Sequence, residues 1–88
     1  MMSDAIENRA RLEILRLISE TDQPVGAESL TPKLSERGIE MTVDGVRYHL
    51  QVLDRSGLTS RVSSRGRLIT EAGREAIARY SVDLRVTD

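Results

Sequence analysis

The sequence predicts an α+β fold, in which helices form the core and a two-stranded hairpin follows them. Three observations support this prediction. Apolar residues recur at helical spacing over most of the chain, glycines follow two of the apolar runs, and two short runs rich in Val, Ile and Thr flank a turn that contains arginine and glycine. The 88 residues are enough for one small domain and too few for two.

Helix 1 is predicted from about residue 3 or 4 to residue 19 or 20, with Asp4 and Glu7 at the spacing of a capping box. Leu12 and Leu15 fall outside its main apolar stripe, so the helix has more apolar surface than one small core requires. They are expected either to pack under the last helix or to form a dimer contact. The main stripe consists of Ile6, Ala10, Ile14 and Leu17.

Helix 2 is predicted over about residues 27–37, with Gly38 ending it. Residues 24–26 are expected to form a short strand that pairs with the hairpin. Pro32 does not suit the interior of this helix, because proline removes a hydrogen bond and usually kinks the chain. The alternative is a helix that begins at Thr31, with Pro32 in its first position.

The third helix has the clearest boundaries in the sequence. Thr42 is expected to cap it with its hydroxyl and Gly57 to end it in the left-handed conformation, so that it spans about residues 43–56. Its apolar stripe comprises Val43, Val46, Leu50 and Leu53. The opposite side carries Asp44, Tyr48, Gln51 and Arg55, with Gly45 and Arg47 beside them. This side has few long acidic side chains, which favours a place in a major groove.

Two short strands are expected at 58–62 and 67–70, with Gly66 permitting the turn between them. The hairpin would place Arg61, Arg65 and Arg67 on or beside a protruding loop, where guanidinium groups reach phosphates or a narrow minor groove. An ordinary solvated hairpin is the alternative, because hairpin tips favour polar residues in any case.

A fourth helix is expected after the hairpin, capped by Thr70 and ended by Ser81. Ala72, Ile77 and Tyr80 are expected to return to the core. Val82, Leu84 and Val86 then alternate with polar residues, a pattern typical of a strand. We therefore expect a domain over residues 1–81 and a tail over residues 82–88, as if a further domain followed. The order of elements predicts a winged helix-turn-helix with a three-helix core, a two-stranded wing and an extra C-terminal helix.

The charge is unevenly distributed along the chain. The formal net charge of −1 argues by itself against a nucleic-acid partner. Residues 1–41 carry five basic and eight acidic side chains, whereas residues 42–80 carry seven arginines and four acids. The positive half contains the third helix and the hairpin. Its modest charge predicts weak, salt-dependent binding unless a dimer or a larger partner adds contacts.

Composition excludes several other kinds of protein. The chain has no cysteine and one histidine, so we expect no metal and no cofactor. We expect no enzyme, because the sequence offers neither a nucleophile with a nearby base nor a glycine-rich phosphate loop. No run approaches the ~18 apolar residues of a membrane-spanning helix, and no signal sequence is evident, so a cytoplasmic protein is expected.

A resemblance to a known family is carried by four segments, PVGAESL, LSERGIEMTVDGVRYHLQVLD, SGLTSRV and GRLITEAG. They resemble the amino-terminal winged helix of the archaeal nitrogen-regulation repressor family, and the same domain type precedes ribonuclease R. The resemblance runs over about residues 14–78. It implies a transcriptional repressor that binds a palindromic operator through this helix and wing. Members of that family carry further domains that sense 2-oxoglutarate. None is present in these 88 residues, so no effector is assigned.

The predicted DNA contacts follow from position on the third helix and the hairpin. Arg47, Tyr48 and Gln51 are expected at base edges or on the groove floor, with Thr42 or Asp44 helping to choose bases or to hold a phosphate. Alternatively, Arg47 pairs with Asp44 or Asp54, and Tyr48 covers a neighbouring chain. The predicted phosphate or minor-groove contacts are Arg55, Arg61, Arg65 and Arg67.

Three further residues have weaker predictions. Ser29 and Lys33 on helix 2 are additional phosphate candidates. His49 lies at the edge of the apolar stripe, and we expect it to be partly buried and hydrogen-bonded to the backbone rather than to act as a reader of bases or a pH switch.

Three functions are weighed. The leading hypothesis is a sequence-specific DNA-binding domain, as a homodimer with its two reader helices ~34 to 36 Å apart on double-stranded DNA. The second is an RNA-binding accessory domain, which the absence of Phe and Trp disfavours because such surfaces stack bases on aromatic rings. The third is a protein-interaction winged helix that uses Leu12, Leu15 or the tail.

Overall fold

The computed structural model describes residues 9–63 and 66–86. In chain order its elements are α1 (Arg9–Ser19), α2 (Ala27–Glu36), α3 (Val43–Arg55), β1 (Thr59–Ser63), β2 (Gly66–Ile69) and α4 (Glu71–Val86). Strands β1 and β2 form an antiparallel hairpin, and Val25 makes an antiparallel bridge to Arg67 on the other edge of β2. The predicted α+β class is confirmed, and so is the pairing of the segment before α2 with the hairpin.

Helix α1 lies at the centre of the packing, against α2, α3, α4 and β2. Because neighbours surround it on several sides, it buries a wider arc than a single stripe. Ile14, Leu15 and Ile18 are fully buried and Leu12 is partly buried, so of the two expected places for Leu15 the structure shows the internal one. Asp4, Ile6 and Glu7 lie outside the described residues. The buried apolar side chains are Ile14, Leu15, Leu17, Ile18, Ala27, Leu30, Leu34, Val46, Leu50, Leu53, Leu58 and Ala76.

Helix α2 runs through Pro32, so the alternative start at Thr31 is wrong. Proline has no amide hydrogen to donate within the helix. The preceding residue, Thr31, donates its hydroxyl to the carbonyl oxygen of Ala27 at 2.7 Å. The helix ends where predicted. Gly38 has φ +82°, and the amide of Ile39 bonds the carbonyl of Leu34 at 2.9 Å, which closes the last turn.

The caps predicted for the two ends of α3, Thr42 and Gly57, are both observed. The hydroxyl of Thr42 accepts a 3.0 Å hydrogen bond from the amide of Gly45, and Gly57 has φ +78°. The amide of Leu58 bonds the carbonyl of Leu53 at 3.0 Å, as in a Schellman motif. Val46, Leu50 and Leu53 are fully buried and Val43 is partly buried, so the predicted apolar side of the helix faces the core.

Helix α4 is capped by Thr70 as predicted, with the amide of Gly73 donating to its hydroxyl at 3.0 Å. Ala72 is exposed, which contradicts its predicted return to the core, and Gly73 and Ala76 are buried in its place. Ile77 and Tyr80 pack partly buried against the core, as expected. The helix continues through Val86 rather than ending by residue 81, so the tail is helical and forms no strand up to that residue. Neither glycine nor proline occurs in residues 74–86 to stop it.

No helix in the described part of the chain has the length and apolar character needed to cross a membrane.

Candidate nucleic-acid interface

The exposed side of α3 carries five of the predicted contact residues. We call it the reader surface, and it consists of Asp44, Arg47, Tyr48, Gln51 and Arg55, all of which are exposed. Tyr48 is 57% exposed, a high value for an aromatic side chain. Because the opposite side of the same helix packs into the core, these five residues lie on the outward side of α3.

An ion pair lies within the reader surface. Arg47 Nη1 donates to Asp44 Oδ1 at 2.7 Å, one turn apart, and the two side chains are 50% and 91% exposed. The alternative in which Arg47 pairs with Asp44 is therefore observed, whereas Asp54 has other partners. Such exposed pairs contribute little to stability, so the pair can open at small cost.

Thr42 has a structural role that the sequence already indicated, since its hydroxyl caps α3. Ser29 and Lys33 are exposed on α2. DNA contacts by these two residues and by Thr42 remain predictions.

The wing formed by β1 and β2 presents Arg61 to solvent, with its Nε 3.4 Å from the carbonyl oxygen of Ser63. The register between the strands shifts between Arg61 and Ser63, and Val62, at that irregularity, is 52% exposed. Bulges of this kind redirect side chains away from the regular alternation. Arg65 lies outside the described residues.

Arg67 is not on the wing's outer surface, and the prediction that it contacts phosphate is wrong. It is 7% exposed, and its Nε and Nη2 donate to Asp54 Oδ2 at 3.2 and 3.1 Å. The other oxygen of that carboxylate accepts a 2.6 Å hydrogen bond from the hydroxyl of Thr59. Asp54 thus compensates the charge of Arg67 and joins the end of α3 to both strands of the wing.

Gly66 has a different role from the one predicted. Among the described residues only Gly38 and Gly57 have positive φ, so Gly66 is not required for a left-handed turn. A Cβ at Gly66 would lie 2.6 Å from the Cβ of Pro24. Glycine is needed here because strand β2 passes directly against the segment before α2.

His49 is partly buried as expected, but its observed hydrogen bond comes from a side chain instead of the backbone. Arg11 Nε on α1 donates to His49 Nδ1 at 2.9 Å. Burial, and secondarily the positive charge of Arg11, lower the pKa of His49. The same guanidinium lies over the ring of Tyr48, with Cζ 5.9 Å from the ring centroid. Arg11 was not predicted from the sequence, because no local pattern connects positions 38 residues apart.

Two arginines within residues 1–41, the part of the chain with an excess of acidic side chains, form ion pairs with glutamates where α1 meets α2. Arg37 binds Glu13 at 2.9 Å and Glu20 at 3.1 Å, and these bonds raise the pKa of Arg37. Arg16 also binds Glu13 at 2.9 Å. These two cations are therefore compensated by acidic side chains of the same part of the chain.

Within the described residues no group of three or more His, Asp or Glu side chains is placed to hold a metal ion.

The helix pair α2 and α3, followed by the wing, defines a winged helix-turn-helix domain. The family model of the ribonuclease R winged-helix domain matches residues 12–77 of this chain. The chain belongs to this family.

The resemblance to archaeal nitrogen-regulation repressors is also confirmed. The chain is 37% identical over 81 residues to the "Global nitrogen regulator NrpR" of Methanococcus maripaludis, covering 92% of this chain and 15% of the regulator. It is 38% identical over 79 residues to the protein of that name from Methanocaldococcus jannaschii, covering 90% and 15%. It is 41% identical over 73 residues to the "Global nitrogen regulator NrpRI" of Methanosarcina mazei, covering 83% and 22%. The chain thus spans less than a quarter of the length of each of these regulators.

Proposed function

We propose that this chain is a sequence-specific DNA-binding domain that acts in transcriptional repression, with α3 in the major groove and the wing on the backbone or in the minor groove. One observation carries the proposal. The reader surface is polar and exposed along a helix whose other side packs into the core, next to a wing that presents Arg61. The names of the similar archaeal regulators support a regulatory rather than an enzymatic role.

The side chains of the reader surface have chemistry suited to reading bases. Arg47 can bond guanine O6 and N7 in bidentate fashion, which typically supplies ~1 to 3 kcal/mol of discrimination. Gln51 can pair similarly with adenine, and Asp44 can accept from the amino group of cytosine. Arg55 and Arg61 are assigned to phosphates, where they position the domain without specifying sequence.

The assembly we propose is a cytoplasmic homodimer on a palindromic operator. A single domain with this modest positive charge would bind weakly at physiological salt. Two domains on half-sites ~34 to 36 Å apart would place their α3 helices in successive major grooves on one face of the duplex.

Selection of bound duplexes from a random pool, followed by fluorescence anisotropy on the enriched sequence, tests this proposal. Arg47→Ala and Tyr48→Ala are expected to weaken binding and to relax preference at separate base positions. The control is Arg74→Ala, which removes an exposed arginine from α4 and so changes the charge by the same amount as Arg47→Ala. Unchanged affinity and unchanged preference in both reader-surface variants would refute the assignment of this surface. Recovery of a palindrome would support the dimer.

RNA is the second candidate partner, because the matching family model is that of a ribonuclease domain. Tyr48 is the exposed aromatic on the reader surface, whereas single-stranded RNA sites usually stack several bases on aromatic rings. Direct competition between the enriched duplex and a structured RNA of equal length separates the two. Preferential binding of the RNA would favour this candidate over DNA.

A further inference from the structure

Arg11 connects helix α1 to the reader surface. Its Nε donates to His49 Nδ1 at 2.9 Å, and its Cζ lies 5.9 Å from the centroid of the Tyr48 ring. The ring centroids of Tyr48 and His49 are 5.6 Å apart, and the angle between the ring planes is 61°. Three side chains from two helices therefore form one cluster, which we call the Arg11 cluster.

The geometry of the cluster fixes the position of the guanidinium. Nδ1 of His49 accepts the hydrogen bond, so the imidazole is neutral with its proton on Nε2. His49 is partly buried at the edge of the core and gives Arg11 a rigid acceptor. A cation within about 6 Å of an aromatic ring is attracted to the face of that ring, and Arg11 meets this condition at Tyr48.

Tyr48 needs such support because it is the most exposed large apolar side chain of α3. With more than half of its surface in solvent, little packing restricts its side-chain rotamer. Ordering a free side chain on binding DNA costs conformational entropy, and a ring that is already held avoids that cost.

We propose that Arg11 is a positioning residue for Tyr48, so that helix α1 contributes to base preference through a side chain on α3. This inference rests on the proposed DNA-binding function. Arg11 acts through Tyr48, and its role is distinct from that of the arginines that contact phosphate directly.

The test compares Arg11→Gln with Arg9→Gln in the 88-residue chain. Both variants remove one positive charge from α1, and Arg9 is an exposed residue two positions earlier. On the duplex enriched from the random pool, Arg11→Gln is expected to reduce affinity ~3- to 10-fold more than Arg9→Gln does. On an unrelated duplex the two variants should bind equally, because there only the charge matters.

A double-mutant cycle with Tyr48→Ala isolates the positioning role. In the Tyr48→Ala background, Arg11→Gln and Arg9→Gln should have the same effect, since the ring that Arg11 holds is absent. Arg11→Lys keeps the charge but replaces the planar guanidinium, which donates to His49 while it lies over the Tyr48 ring, with a single ammonium; it should therefore retain binding to the unrelated duplex and lose preference on the enriched one.

A measurement without DNA gives an independent readout. In Arg11→Gln, the pKa of His49 measured by NMR should rise, and the ring protons of Tyr48 should change their chemical shifts. Neither should change in Arg9→Gln.

The outcomes distinguish this inference from the proposed function. If the unaltered chain selects no duplex, the proposed function fails and takes this inference with it. If the duplex is bound but Arg11→Gln and Arg9→Gln lose affinity equally in both backgrounds, only the positioning role is overturned. Unchanged His49 and Tyr48 signals in Arg11→Gln would overturn it as well.

Discussion

Arg47 donates a 2.7 Å hydrogen bond to Asp44, one turn earlier on the reader surface, and both side chains are largely in solvent. The arginine that we propose to bond a guanine is therefore held by a carboxylate that phosphates repel. We expect Asp44 to have two opposing effects on the proposed DNA binding. It should lower affinity for any duplex, and it should favour the duplex whose bases replace it as the partner of Arg47 or donate a hydrogen bond to its carboxylate.

Asp44→Asn is therefore expected to raise affinity for an unrelated duplex ~3- to 10-fold at low salt while reducing the preference for the enriched duplex. Fluorescence anisotropy over a series of salt concentrations measures both effects. Asp22→Asn, at an exposed position in the turn before α2, is the matched control and should change neither by as much. A variant that binds both duplexes as the unaltered chain does would contradict the proposed role of Asp44.

Removal of Arg67 should destabilise the domain. The side chains of Arg67 and Asp54, taken alone, are 8% and 23% exposed, so Arg67→Ala leaves a mostly buried carboxylate without its cation. We expect the free energy of unfolding in urea to fall by ~2 to 4 kcal/mol. Arg47→Ala breaks an exposed pair and should cost less than ~1 kcal/mol, and equal losses in the two variants would argue against the structural role of Arg67.

Gly73→Ala should destabilise the protein even though alanine favours helices. A Cβ at this position would overlap the carbonyl oxygen of Leu58, where α4 packs on the start of the wing. The expected loss is ~1 to 3 kcal/mol in thermal or urea unfolding. Ala78→Gly, at an exposed position of the same helix, should cost about 1 kcal/mol through helix propensity alone. A stabilised Gly73→Ala variant would show that α4 does not pack this closely.

Stability should depend on pH through His49. Burial and the charge of Arg11 lower its pKa from the ordinary value of 6.5, so the unfolded chain binds a proton more readily than the folded one. The contribution of His49 to the free energy of unfolding is fully present well above pH 6.5, is lost as the pH drops through that value, and levels off beneath the lowered folded-state pKa. Since the chain has one histidine, His49→Gln should remove this dependence on the acid side of neutral pH. An unchanged pH profile in the variant would contradict the burial of a neutral imidazole.

The elements with local signals were predicted well from the sequence. A hydroxyl before an apolar stripe and a glycine after it are sufficient to define α3, because caps act within one turn. The reader surface follows directly, since a helix with one buried side must expose the other.

The errors concern contacts between distant segments. The arginines of the wing look alike in the sequence, and only the carboxylate of Asp54 decides that Arg67 turns inward. The choice between the two expected places for Leu15 required knowledge of how many elements surround α1. Gly73 faces the core in place of Ala72, because close packing on Leu58 sets the rotation of α4 about its axis. The position of Arg11 beside Tyr48 depends on the tertiary structure alone.

The bridge between Val25 and Arg67 has a consequence for local opening. Each of these residues donates its amide N–H to the other's carbonyl oxygen, at 3.0 and 2.9 Å. The inner edge of strand β2 is therefore hydrogen-bonded to the segment that leads directly into α2. An isolated two-stranded hairpin is marginal in water, but this one cannot separate without disturbing the core. The amide protons of Val25 and Arg67 should therefore exchange with solvent only through cooperative unfolding of the whole domain.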